Sequence, residues 1–133
     1  MKIELRSPLP VYKQIKIKVK EAVLQGRINL DDAIPSIREL ARDINVNPNT
    51  VARAYRELEH EKIIFSRPGV GYMINMSRDQ IKERFLKELE NELTRPVKRF
   101  KKAGISKDEV LGVIEKLWNG SGGEGSGSGG EVP

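Results

Sequence analysis

The chain contains no cysteine and a single histidine, His60. Without thiols there is no disulfide framework and no thiolate metal site, and nothing asks for an oxidising compartment. One imidazole does not make a metal centre by itself, and near the end of a helical stretch it reads as a surface residue favoured by the helix dipole. Aromatic side chains make up only 5% of the chain, so its core has to be built mainly from aliphatic residues. No apolar run approaches the roughly 20 residues of a membrane span, and Met1-Lys2-Ile3-Glu4 lacks the apolar stretch of a signal peptide. The expectation is a soluble, cytoplasmic protein with no membrane partner. A phosphate-cradling loop is missing as well, since Gly69-Val70-Gly71 is followed by neither a lysine nor a helix pattern. The carboxylate pairs Asp31-Asp32 and Asp108-Glu109 read as loop and helix-start charges rather than as an acid/base couple. Neither an enzyme nor a bound metal or cofactor is expected.

What the chain has in excess is positive charge. Its 133 residues allow one domain, or a small domain with an appendage. Lys and Arg number 24 against 19 acidic residues, a net charge of +5. Counting along the sequence, residues 1–76 hold 13 basic and 9 acidic side chains, +4, which leaves +1 for the remainder. The excess therefore sits in the first part of the chain, where it suits a polyanionic partner.

That first part is dense in helix-start and turn signals. Val11 to Gln25 is ambiguous by pattern, because Ile15-Lys16-Ile17-Lys18-Val19-Lys20 alternates like a half-buried strand. Its flanks favour a helix: Pro10 precedes it, Gly26 comes directly after it, and Tyr12, Ile15, Val19, Ala22 and Val23 share one helical face, with Ile17 partly exposed. Ser36 and Glu39 form a capping box at the start of a helix over Ser36–Ile44, striped by Ile37, Leu40, Ala41 and Ile44. Asn47 stands as N-cap of the next helix, with Pro48 at its first position, where the missing N–H costs nothing. There Val51, Ala54, Tyr55 and Leu58 turn inward, while Asn49, Arg53, Arg56 and His60 lie opposite. Two helices joined by a tight turn read as helix-turn-helix. Arg67-Pro68-Gly69-Val70-Gly71 then separates Ile63-Ile64-Phe65 from Tyr72-Met73-Ile74 as a hairpin tip. The fold class is mainly α with a small β-hairpin wing, a winged helix-turn-helix over residues 1–76.

Beyond it, Ser77 with Gln80 and Ser106 with Glu109 mark two further capped helices. Ile81, Phe85, Leu86, Leu89 and Leu93 stripe the first; Val110, Leu111, Ile114, Leu117 and Trp118 stripe the second. Pro96 is expected to kink the first or to end it near Thr94, and Gly104 to close the helical stretch beyond the proline. Two such helices cannot hide both stripes alone, so residues 77–118 are expected to dimerise, with the same patch serving both subunits of a homodimer. From Asn119 the chain turns Gly-Ser-rich, and residues 119–133 are expected to be a flexible tail.

Pro10-Val11-Tyr12-x-Gln14-Ile15, Gly26, Pro35-Ser36-x-Arg38-x-Leu40-Ala41, Val46-Asn47-x-Asn49-Thr50-Val51-x-x-Ala54-Tyr55-x-x-Leu58-Glu59 and Arg67-x-Gly69-x-Gly71 together resemble the DNA-binding head of GntR-family bacterial transcription regulators. The resemblance spans residues 8–75. The short two-helix segment after it is similar to the YtrA-like branch, whose small appendage serves mainly for dimerisation. Two positions depart from the pattern: Lys62 stands where a glycine is usual after the recognition helix, and Asp31-Asp32 where Gly-Asp is usual. The resemblance implies a repressor and double-stranded DNA as partner, and it implies a DNA contact for Arg38 on the first turn of its helix.

The residues support a mechanism of their own. The major groove of B-form DNA admits a helix whose N-terminal side chains reach base edges, while caps and arginines hold phosphates. Asn49 is placed to pair with adenine and Arg53 to fork onto guanine O6 and N7; Asn47, Thr50 and Arg56 are placed for the backbone, and the Ala52 methyl for a thymine methyl. Arg67 has the reach of a minor-groove contact, and Gly69 permits close approach to phosphate. Against this stands the plain alternative that Asn49 and Thr50 only serve the helix start and the arginines form a solvated face. Tyr72 has two readings, a hydroxyl given to phosphate or a ring lying on the sheet. Two other functions remain open at this point: the head of a MocR-like regulator cut at its linker, and a winged helix that binds proteins. Any small-molecule effector is not legible.

Overall fold

A computed structural model of the chain describes residues 1–120. The Gly-Ser tail expected from residue 119 lies, from residue 121 on, outside the described residues. In chain order the elements are α1 (Val11–Leu24), α2 (Ile37–Ile44), α3 (Pro48–His60), β1 (Ile64–Arg67), β2 (Gly71–Ile74), α4 (Arg78–Lys102) and α5 (Lys107–Trp118). They fall into two units, residues 1–85 and the chain from Leu86 onward, the division lying within α4.

In the first unit, Ile15, Val19, Ala22 and Val23 of α1 are buried while Ile17 is only half-buried. The alternating stretch is thus a helix, because a helix carries its apolar positions to one core and a strand would have split them between two faces. After α1 the Gly26 N–H reaches the Val23 carbonyl and the Arg27 N–H the Ala22 carbonyl, at 3.0 and 2.9 Å, the bond pair of a Schellman stop. The Ser36 capping box forms at α2: the hydroxyl accepts from the Glu39 N–H at 3.1 Å, and the Glu39 carboxylate accepts from the Ser36 N–H at 2.9 Å. The turn into α3 places Asn45 in the left-handed region, φ 55°, and its neighbour Val46 donates back to the Ala41 carbonyl at 3.0 Å. Asparagine is among the few side chains that adopt this conformation readily.

The core of this unit is drawn from every element in it. Ile15 of α1, Leu40 of α2, Val51, Tyr55 and Leu58 of α3, and Ile64 and Ile74 of the hairpin are each 5% exposed or less. Ile81 joins them at 1% exposed. This corrects the expectation that Ile81 belongs to an uncovered apolar stripe: the first turns of α4 complete the head core, and only the stripe beyond them is open to solvent. The compact unit accordingly runs past the boundary expected at residue 76.

β1 and β2 pair antiparallel, Ile64 opposite Ile74 and Arg67 opposite Gly71. The segment before α2 adds a short third run to this ladder. Asp31 donates to the Ile74 carbonyl, Ile74 to the Asp32 carbonyl and Ile34 to the Tyr72 carbonyl, each at 2.9 Å. Asp31 holds φ 71°, the left-handed region that aspartate, like asparagine, enters more readily than other side chains.

In the second unit α4 continues through Pro96 to Lys102. The stop expected near Thr94 is not found. Proline lacks one N–H of the ladder and its ring crowds the carbonyl four residues back, which strains a helix interior, yet the helix runs on through it to Lys102. The downstream end is secured by Gly104 at φ 80°, whose N–H meets the Lys101 carbonyl at 3.1 Å while Ile105 meets the Phe100 carbonyl at 3.0 Å. The Ser106–Glu109 capping box opens α5. Leu86, Leu89, Leu93 and Val97 of α4, and Leu111, Val113, Ile114, Leu117 and Trp118 of α5, are all exposed.

Candidate nucleic-acid interface

α3 starts as its residues dictate. The Asn47 side-chain oxygen accepts from the Asn49 N–H at 2.7 Å, its carbonyl accepts from the Thr50 N–H at 2.9 Å, and Pro48 fills the first turn. With Val51, Ala54, Tyr55 and Leu58 buried, Asn49, Arg53, Arg56 and His60 are left exposed and Thr50 and Ala52 half-buried on the flank. The outer side of the helix thus carries an amide and two guanidiniums, as its periodicity predicts. Arg38 is exposed in the first turn of α2.

The inward tyrosine aligns these elements. The Tyr55 hydroxyl donates to the Pro35 carbonyl at 2.7 Å, which ties α3 to the residues just before α2. Burial is the main cause that pushes this phenol well above its ordinary range. Tyr72 meets the Tyr55 ring edge-on, centroids 5.0 Å apart, so its ring rests on the core side of the hairpin.

At the wing, the Val70 N–H donates to the Arg67 carbonyl at 2.9 Å across Pro68 and Gly69, and Gly69 takes φ 78°. Proline followed by a residue of positive φ is the pattern of a type II turn, and a side chain at Gly69 would strain it. Arg67 and Val70 are both exposed at this tip. The structure therefore brings Asn47, Asn49, Thr50, Arg53 and Arg56 together on one helix, with Arg38 on the preceding helix and Arg67 and Gly69 on the wing of the same unit.

Three residues around Arg53 were not singled out from the sequence as parts of the site. The Arg53 guanidinium carbon lies 3.7 Å from the centroid of the Tyr12 ring on α1, and its Nε is 3.4 Å from Glu57 Oε2 one turn along α3. The other Glu57 oxygen accepts from Lys16 Nζ of α1 at 2.9 Å. That bond is the main cause holding the Glu57 carboxyl below its usual value; Lys16, whose burial disfavours its charge, is carried above its usual value by Glu61 and Glu57. The Arg53–Glu57 spacing of four was visible in the sequence, whereas the approach of α1 was not.

Among the described residues, no group of three or more His, Cys, Asp or Glu side chains is arranged to hold a metal, and no helix is long and apolar enough to cross a membrane.

The chain is similar to several known proteins. Residues 11–74 match the family described as bacterial regulatory proteins, gntR family. The HTH-type transcriptional repressor YtrA of Bacillus subtilis is 47% identical over 75 residues, 56% of this chain and 58% of that protein, so the match leaves much of YtrA uncovered. The uncharacterized HTH-type transcriptional regulator YhcF of the same organism is 33% identical over 122 residues, covering 88% of this chain and 97% of YhcF. Among solved structures, a GntR family transcriptional regulator from Listeria monocytogenes superposes with a TM-score of 0.71 at 30% identity, over 84% of this chain and 98% of that one.

Proposed function

Since the chain belongs to the GntR family of bacterial regulatory proteins, whose members are DNA-binding transcription regulators, we propose that it is a sequence-specific repressor that binds an inverted-repeat operator as a homodimer. The observation that carries this reading is the capped α3, with Asn49, Arg53 and Arg56 on its exposed side, in a unit whose charge excess is positive. In the proposed complex α3 enters the major groove: Asn49 pairs with adenine and Arg53 with guanine, while Asn47, Thr50, Arg56 and Arg38 hold the flanking phosphates. Arg67 and Gly69 bring the wing to the minor groove or its phosphates.

The head proposed over residues 1–76 leans on the start of α4 for its core, and residues 77–118 supply the dimer contact. The open apolar stripes on α4 and α5 support this, since a wet surface of that kind is rare on a protein that stays monomeric. A two-fold dimer relates two copies of α3 by symmetry, and its operator must mirror that symmetry. Occupying two successive grooves would hinder polymerase, and the YtrA repressor supports that direction of control.

Selection of bound sequences from random duplex DNA tests the reading in one experiment. The expected product is an inverted repeat with half-sites about one helical turn apart, bound with an affinity that falls steeply with salt. Recovery of no preferred sequence, or an affinity indifferent to salt, would overturn it.

A further inference from the structure

We propose that Glu57 and Tyr12 are positioning residues for base readout, holding the Arg53 guanidinium as a preset fork while Lys16 neutralises Glu57. The inference rests on the proposed contact between Arg53 and a base.

A guanidinium offers three surfaces: the Nε edge, the flat face, and the Nη1/Nη2 edge. Glu57 Oε2 takes the Nε edge at 3.4 Å, and the Tyr12 ring takes the face at 3.7 Å. The edge left over, Nη1 with Nη2, carries two parallel donors that can pair with guanine O6 and N7. A long side chain loses rotamer freedom when it docks, and one already clamped on two surfaces loses less.

Helix stability does not account for the arrangement. An exposed ion pair at i,i+4 contributes little, and arginine before glutamate is the weaker order because it opposes the helix dipole. A carboxylate on a helix meant for a groove would also repel phosphate. Here it is answered from behind: Lys16 Nζ lies 2.9 Å from Glu57 Oε1 and also bonds Glu61, and its side chain is only 15% exposed. Glu57 is thereby tied to α1, the same helix that supplies the Tyr12 ring. Tyr12 and Glu57 meet the guanidinium and Lys16 holds Glu57, so three residues on two helices set one side chain, and α1 becomes a participant in sequence recognition without touching a base.

The test uses the full chain and the duplex recovered by selection, together with its single-base variants at every half-site position. Dissociation constants are measured for the native protein and for Arg53→Ala, Glu57→Gln, Tyr12→Leu, Tyr12→Phe and Arg53→Ala combined with Glu57→Gln, with a thermal melt of each. Arg53→Ala should abolish a preference of about tenfold or more at one position. Glu57→Gln and Tyr12→Leu should blunt that same preference about threefold or more, by loss of the clamp. Tyr12→Phe, which keeps the ring face, should retain it, and Glu57→Gln should add nothing once Arg53 is gone. If Arg53→Ala changes the preference but Glu57→Gln and Tyr12→Leu leave it intact, or shift affinity equally for every duplex, the clamp is overturned and the reader stands. If Arg53→Ala leaves all base preferences unchanged, the reader assignment itself fails and the clamp with it. Should Tyr12→Leu fail to fold, Glu57→Gln and its combination with Arg53→Ala decide alone.

Discussion

At the scale of single residues, exposure separates the groups that stand ready for a partner from those that hold the scaffold. Asn49 and Arg67 are both exposed, yet they sit at different places, one in the first turn of α3 and the other at the wing tip. Asn49→Ala should cost about 1–3 kcal/mol on the preferred operator and relax one position in each half-site. Arg67→Ala should weaken binding to all sequences alike and reduce the slope of affinity against salt. Measuring both proteins on the operator and on single-base variants at two salt concentrations separates the roles.

Glu57 makes a second prediction at this scale. Its carboxyl is held below the ordinary 4.5, chiefly by the Lys16 hydrogen bond and, against the opposing effect of burial, also by the charge of Lys16 and by the hydrogen bond and charge of Arg53. A carboxyl lowered in the folded state contributes stability above the unfolded value and loses it as pH falls through the folded one. Glu57→Gln should therefore lose less stability than the native protein between about pH 5 and pH 3, as read by urea denaturation. Some acid sensitivity should persist in the variant, because Glu39, lowered by the Ser36 N–H and hydroxyl, titrates with the same sign.

At the scale of elements, caps and stops decide where each helix begins and ends. Lys62 illustrates a stop made from the wrong residue. It takes φ 65° after α3, its N–H meets the Glu59 carbonyl at 3.0 Å, and Ile63 meets the Leu58 carbonyl at 2.9 Å, the same bond pair that closes α1 at Gly26. The Asn75 amide donates to the Lys62 carbonyl at 3.1 Å and helps hold the corner. Lys62→Gly removes the Cβ strain of the left-handed region and should stabilise the protein by about 1 kcal/mol, offset in part by the extra freedom glycine gives the unfolded chain. Equilibrium denaturation at neutral pH measures it, and a loss of stability would mean that the lysine stem is packed in a way its exposure hides. Asn47→Ala runs the other way: losing the 2.7 Å cap bond to Asn49 should cost about 1 kcal/mol.

At the scale of the whole molecule, the exposed apolar stripes of the second unit are the surface that calls for a partner. Leu89 is 40% exposed on α4 and Leu117 is 64% exposed on α5. If a second copy covers them, Leu89→Glu combined with Leu117→Glu should leave the head folded, because neither residue belongs to its core. The variant should sediment as a monomer at micromolar concentration. Its affinity for a full inverted repeat should fall by about 100-fold or more, since linking two half-site contacts no longer helps, while binding to an isolated half-site stays the same. A variant that remains dimeric would place the subunit contact elsewhere.

What the sequence determined by itself is the local and periodic part of this protein. The Ser36, Asn47 and Ser106 caps, the turn at Pro68-Gly69 and the inward stripe of α3 each depend on residues within one or two helical turns or one hairpin tip, and each lies where its pattern places it. The outward side of α3 comes from the same periodicity, so the candidate base readers were legible as well. Contacts distant in sequence were decided only by the tertiary structure. The third run of the ladder at Asp31–Ile34 exists because β2 offers it a free edge, and Ile81 is buried because the head leaves room beside its core. Pro96, marked by its local pattern as a kink or a stop, lies inside α4, and the helix closes instead at Gly104. In the setting of Arg53 the step to Glu57 is local, but the Lys16–Glu57 bond spans 41 positions and the Tyr12 ring comes from the same distant helix, and no local spacing encodes these: a side chain's partners across helices are chosen by packing, which only the folded chain defines.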